Sequence, residues 1–148
     1  MAYKVKVYAF SNTGRETAKR IAEIKTKIFR GEKLVFEECI DNKIDRISFR
    51  SASAHIFVGA IGIAVRKIAP YIEDKKIDPA VITVDEKGQF VIPVLSGHIG
   101  GANRLSELIA HEINATAVIT TATDVNGYDA IDLLAADNRL SFIYSHNQ

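Results

Sequence analysis

Apolar and polar residues alternate over residues 3–10, Tyr-Lys-Val-Lys-Val-Tyr-Ala-Phe, which predicts a first strand. The turn-forming cluster Ser11-Asn12-Thr13-Gly14 follows, and Thr13 with Glu16 has the spacing of a capping box. Beyond it Ala18, Ile21, Ala22, Ile24 and Ile28 form an apolar face at helical period, so a helix is expected to about Phe29, stopped by Gly31. Residues 33–37 read as a second strand and 42–49 as a weak helix or loop. Ala54-His55-Ile56-Phe57-Val58 is a short, nearly continuous apolar run ending at Gly59, the pattern of a strand covered on both faces. Val65, Ile68, Ala69 and Ile72 continue as a helical stripe that breaks at Pro70, where a new turn begins. Residues 80–84 and 90–94 flank Asp85-Glu86-Lys87-Gly88-Gln89 and predict a hairpin. Leu105, Leu108, Ile109 and Ile113 predict a strong amphipathic helix, followed by a strand at 117–121, a helical stretch at 128–137 and a short strand at 140–144.

Strands alternating with helices imply an α/β fold, a three-layer α/β/α sandwich of Rossmann-like type with a mostly parallel sheet. The hairpin adds an antiparallel element, so the sheet is expected to be mixed. Ligands of such sheets bind beyond the carboxyl ends of the strands. The loops at 11–14, 59–62, 96–103 and 120–124 hold most of the unusual residues and are expected to gather on that rim.

A chain of 148 residues suits one domain, read here as 1–148. With 47% apolar and 25% charged residues it is an ordinary globular composition, which excludes intrinsic disorder. A net charge of +1 advertises neither a nucleic-acid nor a membrane-surface partner. The single Cys39 excludes an internal disulfide framework and a Cys-rich zinc site, and its neighbours predict a buried, inert thiol. No apolar run reaches the ~18–20 residues of a membrane span, and the first residues lack the hydrophobic block of a signal peptide, so a cytoplasmic location is expected. A small α/β domain with an unpaired edge strand is compatible with a homodimer.

Leu95-Ser96-Gly97-His98-Ile99-Gly100-Gly101-Ala102-Asn103 is the most informative segment. A small-residue helix start exposes amides and a partial positive charge that can hold a carboxylate or phosphate, with Ser96 and His98 in the same turn. The alternative is a tight turn whose glycines serve backbone conformation, with Asn103 as cap. Gly59-Ala60-Ile61-Gly62 repeats the logic, for anion binding or for close helix–sheet packing. It is not Gly-x-Gly-x-x-Gly, and no Walker lysine pattern occurs, so a nucleotide-binding domain is poorly supported. Thr120, Thr121, Thr123 and Asp124 set three hydroxyls and a carboxylate at a strand end. Asp124 is either a base, an orienter of His98, or a helix or turn cap. Arg66 and Arg104 could each clamp a carboxylate or serve as surface charges. His55 reads as a hydrogen-bonded core or edge residue, His111 as a solvated one, and no His, Cys or carboxylate spacing suits a protein-bound metal.

Taken in order, Gly62-Ile63-Ala64-Val65-Arg66-Lys67-Ile68-Ala69-Pro70, Asp78-Pro79-Ala80-Val81, Val84-Asp85-Glu86-x-Gly88, Leu95-Ser96-Gly97-His98-x-Gly100-Gly101-Ala102-Asn103 and Ile119-Thr120-Thr121-Ala122-Thr123-Asp124 closely resemble the N-terminal domain of the CbiG family, the cobalt-precorrin-5A hydrolases of anaerobic cobalamin biosynthesis. The resemblance implies a hydrolase that opens a δ-lactone on a cobalt-corrin precursor, a polycarboxylate macrocycle, and releases acetaldehyde. It implies no cofactor, the cobalt being carried by the substrate. Lactone hydrolysis needs activated water, a base and oxyanion donors. His98 is the candidate base, Ser96 a weaker candidate nucleophile, and Asp124 or His98 a proton acceptor for the freed hydroxyl. Amides of residues 100–103 and the hydroxyls of Thr120, Thr121 and Thr123 are candidate oxyanion donors. Gly59, Gly62, Arg66, Gly97, Gly100, Gly101, Asn103 and Arg104 are candidate substrate-binding positions. Family members are commonly longer, so residues 140–148 read as the start of a middle region and a separate C-terminal domain is an expected partner. The other reading is a corrinoid-binding module that is catalytic only with that domain.

Overall fold

The computed structural model describes residues 1–25 and 28–122. In chain order the elements are β1 (Ala2–Ala9), α1 (Asn12–Ala22), β2 (Ile28–Phe29), β3 (Glu32–Cys39), α2 (Arg46–Ser51), β4 (Ala54–Val58), α3 (Ile61–Ile68) with a 3₁₀ turn at Ala69–Tyr71, β5 (Ala80–Val84), β6 (Phe90–Leu95), α4 (Ala102–Ile113) and β7 (Thr116–Ala117). They build a seven-stranded sheet in the order β2-β3-β1-β4-β5-β6-β7. β3, β1, β4 and β5 run parallel, β2 and β6 are antiparallel to their inner neighbours, and β7 is parallel to β6. The α/β/α architecture expected from the sequence is therefore present, with a mixed sheet.

The period-two pattern of the strands sorts the core into two layers. Val5, Val7, Ile56, Val58, Ile82 and Val84 face α1 and α4, meeting Ile21, Leu105 and Ile109. Tyr8, Phe57 and Val81 face the other way, onto Phe49 of α2 and Ala64 and Ile68 of α3. Every residue of β4 and β5 is buried, as strands covered on both faces must be.

Two helix ends differ from expectation. α1 is capped by Ser11, whose hydroxyl accepts from the Gly14 amide, rather than by Thr13, and it ends at Ala22 rather than near Phe29. Phe29 is taken instead by the sheet, where its ring meets Tyr3 edge-on at 4.8 Å; tertiary packing overrides a helical period here. The strand expected at 117–121 shortens to β7, and the elements expected at 128–137 and 140–144 lie outside the described residues. The hairpin forms as expected: Gly88 donates to the Asp85 carbonyl at 2.8 Å with φ 69°, and the Asp85 carboxylate accepts from the Gln89 and Phe90 amides. Cys39 is half-buried rather than buried, and burial together with nearby carboxylates raises its thiol pKa, which keeps the thiol protonated.

His55 is wholly buried on β4. Its Nε2 lies 3.0 Å from the Phe49 carbonyl, which can only accept, so Nε2 carries the proton and Nδ1 accepts from the Tyr8 hydroxyl at 2.9 Å. Burial lowers its pKa from 6.5 to about 4. Between those values the unfolded chain takes up a proton that the native state refuses. Stability is therefore present above pH 6.5 and falls as pH drops toward 4, by on the order of 3 kcal/mol. Urea unfolding across that pH window should show the slope, and His55→Gln should remove its contribution.

Candidate active site at the amino edge of the sheet

The reversal at the β5–β6 hairpin decides where the chemistry-bearing loops lie. β1, β4 and β5 end at one edge of the sheet, so the loops after β1 and β4, carrying Ser11 to Gly14 and Gly59 to Gly62, open there. At that edge Ser11 Oγ donates to Glu86 Oε2 at 2.6 Å and the Gly59 amide to the Val84 carbonyl at 2.8 Å. β6 runs back, and β7 runs with it, so the loops that follow them open at the opposite, amino edge. Two hydrogen bonds fix this: Tyr3, at the start of β1, donates to the Gly100 carbonyl at 3.0 Å, and Ser96 Oγ to the Asp78 carbonyl just before β5, also at 3.0 Å. The expected gathering of all these loops on one rim does not occur. Gly59, Gly62 and Arg66 belong to one edge; Ser96, Gly97, His98, Gly100, Gly101, Asn103, Thr120 and Thr121 belong to the other.

The amino-edge loop is tightly self-closed. Ser96 adopts a left-handed φ of 59° and Gly101 one of 88°. The Gly101 amide donates to the His98 carbonyl, Ala102 to the Ser96 carbonyl and Asn103 to the Gly97 carbonyl, all at 3.0–3.1 Å. Of the amides expected as oxyanion donors, at residues 100–103, those of Gly101, Ala102 and Asn103 are thus occupied by the loop's own carbonyls. The first turn of α4 is closed from within, with the left-handed Gly101 at the cap position and no side-chain cap. Asn103 does not cap α4 either: it is buried, and its Nδ2 donates to Thr121 Oγ1 at 2.8 Å, joining the loop after β6 to the segment after β7. Thr121 accepts that bond and so keeps its own hydroxyl proton to donate. Thr120 is exposed, His98 half-buried and Arg104 exposed. Thr123 and Asp124 lie outside the described residues.

The glycines at 97 and 100 are explained by contact. A Cβ at Gly97 would stand 2.7 Å from Asn103 Oδ1, and one at Gly100 would press on Ser96 Cβ and lie 2.7 Å from its carbonyl oxygen. Gly100→Ala must therefore displace backbone, and is expected to cost about 1–3 kcal/mol by urea unfolding. Unchanged stability would contradict the closed loop.

Beside this loop a cleft of about 470 Å³ is lined by Tyr3, Arg30, Glu32, Arg50, Asp78 and Gly100, among others. Arg50 Nη1 lies 2.8 Å from Asp78 Oδ1, whose carboxylate is 1% exposed, and Arg50 also donates to the Tyr71 carbonyl at 2.7 Å. Burial raises the Tyr3 pKa to about 12, so its hydroxyl stays a donor. Sequence reading had singled out none of Tyr3, Arg30 and Arg50, and Asp78 only as part of a motif. They come from separate segments, and the one signal that pointed at any of them was Asp-Pro ahead of a buried strand. Among the described residues no cluster of His, Cys, Asp and Glu could hold a metal ion, and no helix is long and apolar enough to cross a membrane.

Comparison with known proteins bears on this architecture. The chain is 44% identical over 137 residues to the cobalt-precorrin-5A hydrolase of Salmonella typhimurium, covering 88% of this chain and 39% of that protein. It is 51% identical over 85 residues to the cobalt-precorrin-5A hydrolase of Priestia megaterium, covering 57% of this chain and 23% of that one. A crystal structure of a cobalamin biosynthesis protein G homolog from Sulfolobus solfataricus superposes with a TM-score of 0.61 at 28% identity, over 79% of this chain and 36% of the other. The chain thus spans 23–39% of the length of these curated relatives. Residues 44–124, which contain β4 to β7 and the whole amino-edge loop, match the family described as Cobalamin synthesis G N-terminal, and the chain belongs to that family.

Proposed function

We propose that this domain acts in cobalt-precorrin-5A hydrolysis, opening the substrate's δ-lactone and releasing acetaldehyde, with the substrate seated at the amino edge of the sheet. The observation that carries the reading is that the family-matching residues 44–124 include the two loops joined by the Asn103–Thr121 hydrogen bond. In this scheme His98 takes the proton of the attacking water as the general base. The oxygen–carbonyl bond forms and the ring carbon–oxygen bond breaks, giving a carboxylate and an alcohol. Loss of the alcohol proton then drives cleavage of the adjacent carbon–carbon bond, with acetaldehyde leaving and the macrocycle carbon taking up a proton.

With the amides of residues 101–103 occupied, Thr120 and Thr121 are the donors to the developing oxyanion, and Asn103 acts as a positioning residue for Thr121. Ser96 is less suited to a nucleophile's role, because its hydroxyl is spent on the Asp78 carbonyl. Asp124 retains its assigned role as a proton acceptor for the freed alcohol. No resident cofactor is required; cobalt arrives in the substrate.

The test is to supply the chain with cobalt-precorrin-5A and follow acetaldehyde by its reduction with NADH and alcohol dehydrogenase. Release at a rate proportional to protein supports the proposal. The partial coverage of the relatives favours a second reading, in which this domain binds the corrin precursor and turnover needs the remaining part. That reading expects tight binding with no acetaldehyde until a separate C-terminal domain is added.

A further inference from the structure

One residue of the amino-edge cleft sits where folding alone would not place it. Arg30 and Gly31 are the central pair of the two-residue β2–β3 hairpin, with φ of 54° and 77°, and Phe29 pairs with Glu32 across it. Positive φ at both positions defines a type I′ turn, whose first position favours Asn, Asp or Gly. An arginine there holds a left-handed backbone that its Cβ disfavours. Such an outlier, kept against local preference, motivates a functional reading.

The placement sets the side chain across the closed loop. A Cβ at Gly101 would stand 3.1 Å from Arg30 Nη1 and 3.3 Å from its Cδ, so the arginine lies directly against the bare Gly101 backbone. The guanidinium also lies beside the Tyr3 hydroxyl, which is itself tied to the Gly100 carbonyl. Both arginines of the cleft are partly buried, but they differ in their partners. Arg50 is consumed by Asp78 and Glu73, whereas Arg30 makes no ion pair among the described residues. A half-buried guanidinium that opens into the cleft with no carboxylate paired to it among the described residues is a site for one. Glu32 lines the same cleft, and with Arg50 and Asp78 cancelling each other, its charge opposes a doubly charged phosphate more than a single carboxylate.

We infer that Arg30 is a substrate-recognition residue, binding one carboxylate arm of the ligand in the amino-edge cleft, with Tyr3 as its positioning residue. This rests on the reading of that cleft as the corrin-precursor site. Uroporphyrin, a macrocycle bearing eight carboxylates, serves as the probe, with its fluorescence as the readout and its octamethyl ester as the uncharged control. Arg30→Asn suits the turn, so it should melt at or above the temperature of the unaltered chain while binding uroporphyrin at least tenfold more weakly. Arg30→Lys should recover binding only in part, since an ammonium cannot pair bidentately. Lys19→Asn removes the same charge from the exposed face of α1 and should bind normally. Succinate should compete with the probe better than inorganic phosphate.

Absent binding, equal losses in Arg30→Asn and Lys19→Asn, unchanged binding in Arg30→Asn, or stronger competition by phosphate would each overturn the inference, and acetaldehyde release would still judge the hydrolase reading separately. Arg30-dependent binding with no acetaldehyde, even after the C-terminal domain is supplied, would sink the hydrolase reading and leave this site standing.

Discussion

Replacing His98 with alanine is expected to lower acetaldehyde release by roughly 10²–10⁴-fold while leaving the melting temperature essentially unchanged. The size follows from removing a general base in a reaction whose attacking water is a weak nucleophile. The unchanged fold follows from position: His98 is half-buried in the loop between β6 and α4 and belongs to neither hydrophobic core. The measurement pairs a turnover assay with a thermal melt on the same preparation. Turnover surviving the substitution would remove His98 from the mechanism, and collapse of the melt would make it a structural residue instead.

The largest loss of stability is expected from Arg50→Ala. The Asp78 side chain is 1% exposed, and its carboxylate has the Arg50 guanidinium at 2.8 Å and the Glu73 amide at 3.1 Å. Removing the arginine leaves a buried carboxylate with the amide alone and strips a donor from the Tyr71 carbonyl. Breaking a buried pair in this way costs about 3–5 kcal/mol, which for a chain of this size lowers the melting temperature by on the order of 10 °C. A loss under ~1 kcal/mol by urea unfolding would mean that the pair is as weak as a solvated one. Because Asp78 also supplies the carbonyl that anchors Ser96, the loss should be accompanied by weaker substrate binding.

Much of the fold was legible in the residues because local and global preferences agree there. The apolar run at β4, the Asp85–Gly88 turn and the stripe of α4 each state their element directly. The candidate loops are split between two edges where the sequence predicts one, and a single inference accounts for the difference. The carboxyl-end rule holds for parallel strands, and the same reading that predicted a β5–β6 hairpin had already reversed β6. Followed through, that reversal carries His98 to the other edge.

The remaining misses were not recoverable from spacing. That carbonyls of Ser96, Gly97 and His98 fold back onto the α4 amides depends on backbone torsions, and only the glycines hinted at them. Gly31 reads as the stop of a helix, because nothing local reveals that Phe29 leaves the helical face to pack on Tyr3. The pairing of Arg50 with Asp78 spans separate segments and has no sequence period at all.

Hydrogen–deuterium exchange with and without cobalt-precorrin-5A tests the central claim most directly, since it reports where the ligand lies independently of turnover. Bound substrate should slow exchange in peptides covering residues 96–103 and 118–121, and at residues 29–32, while residues 11–14 and 59–66 exchange as before. Protection confined to 11–14 and 59–66 would put the substrate at the carboxyl edge and contradict the account.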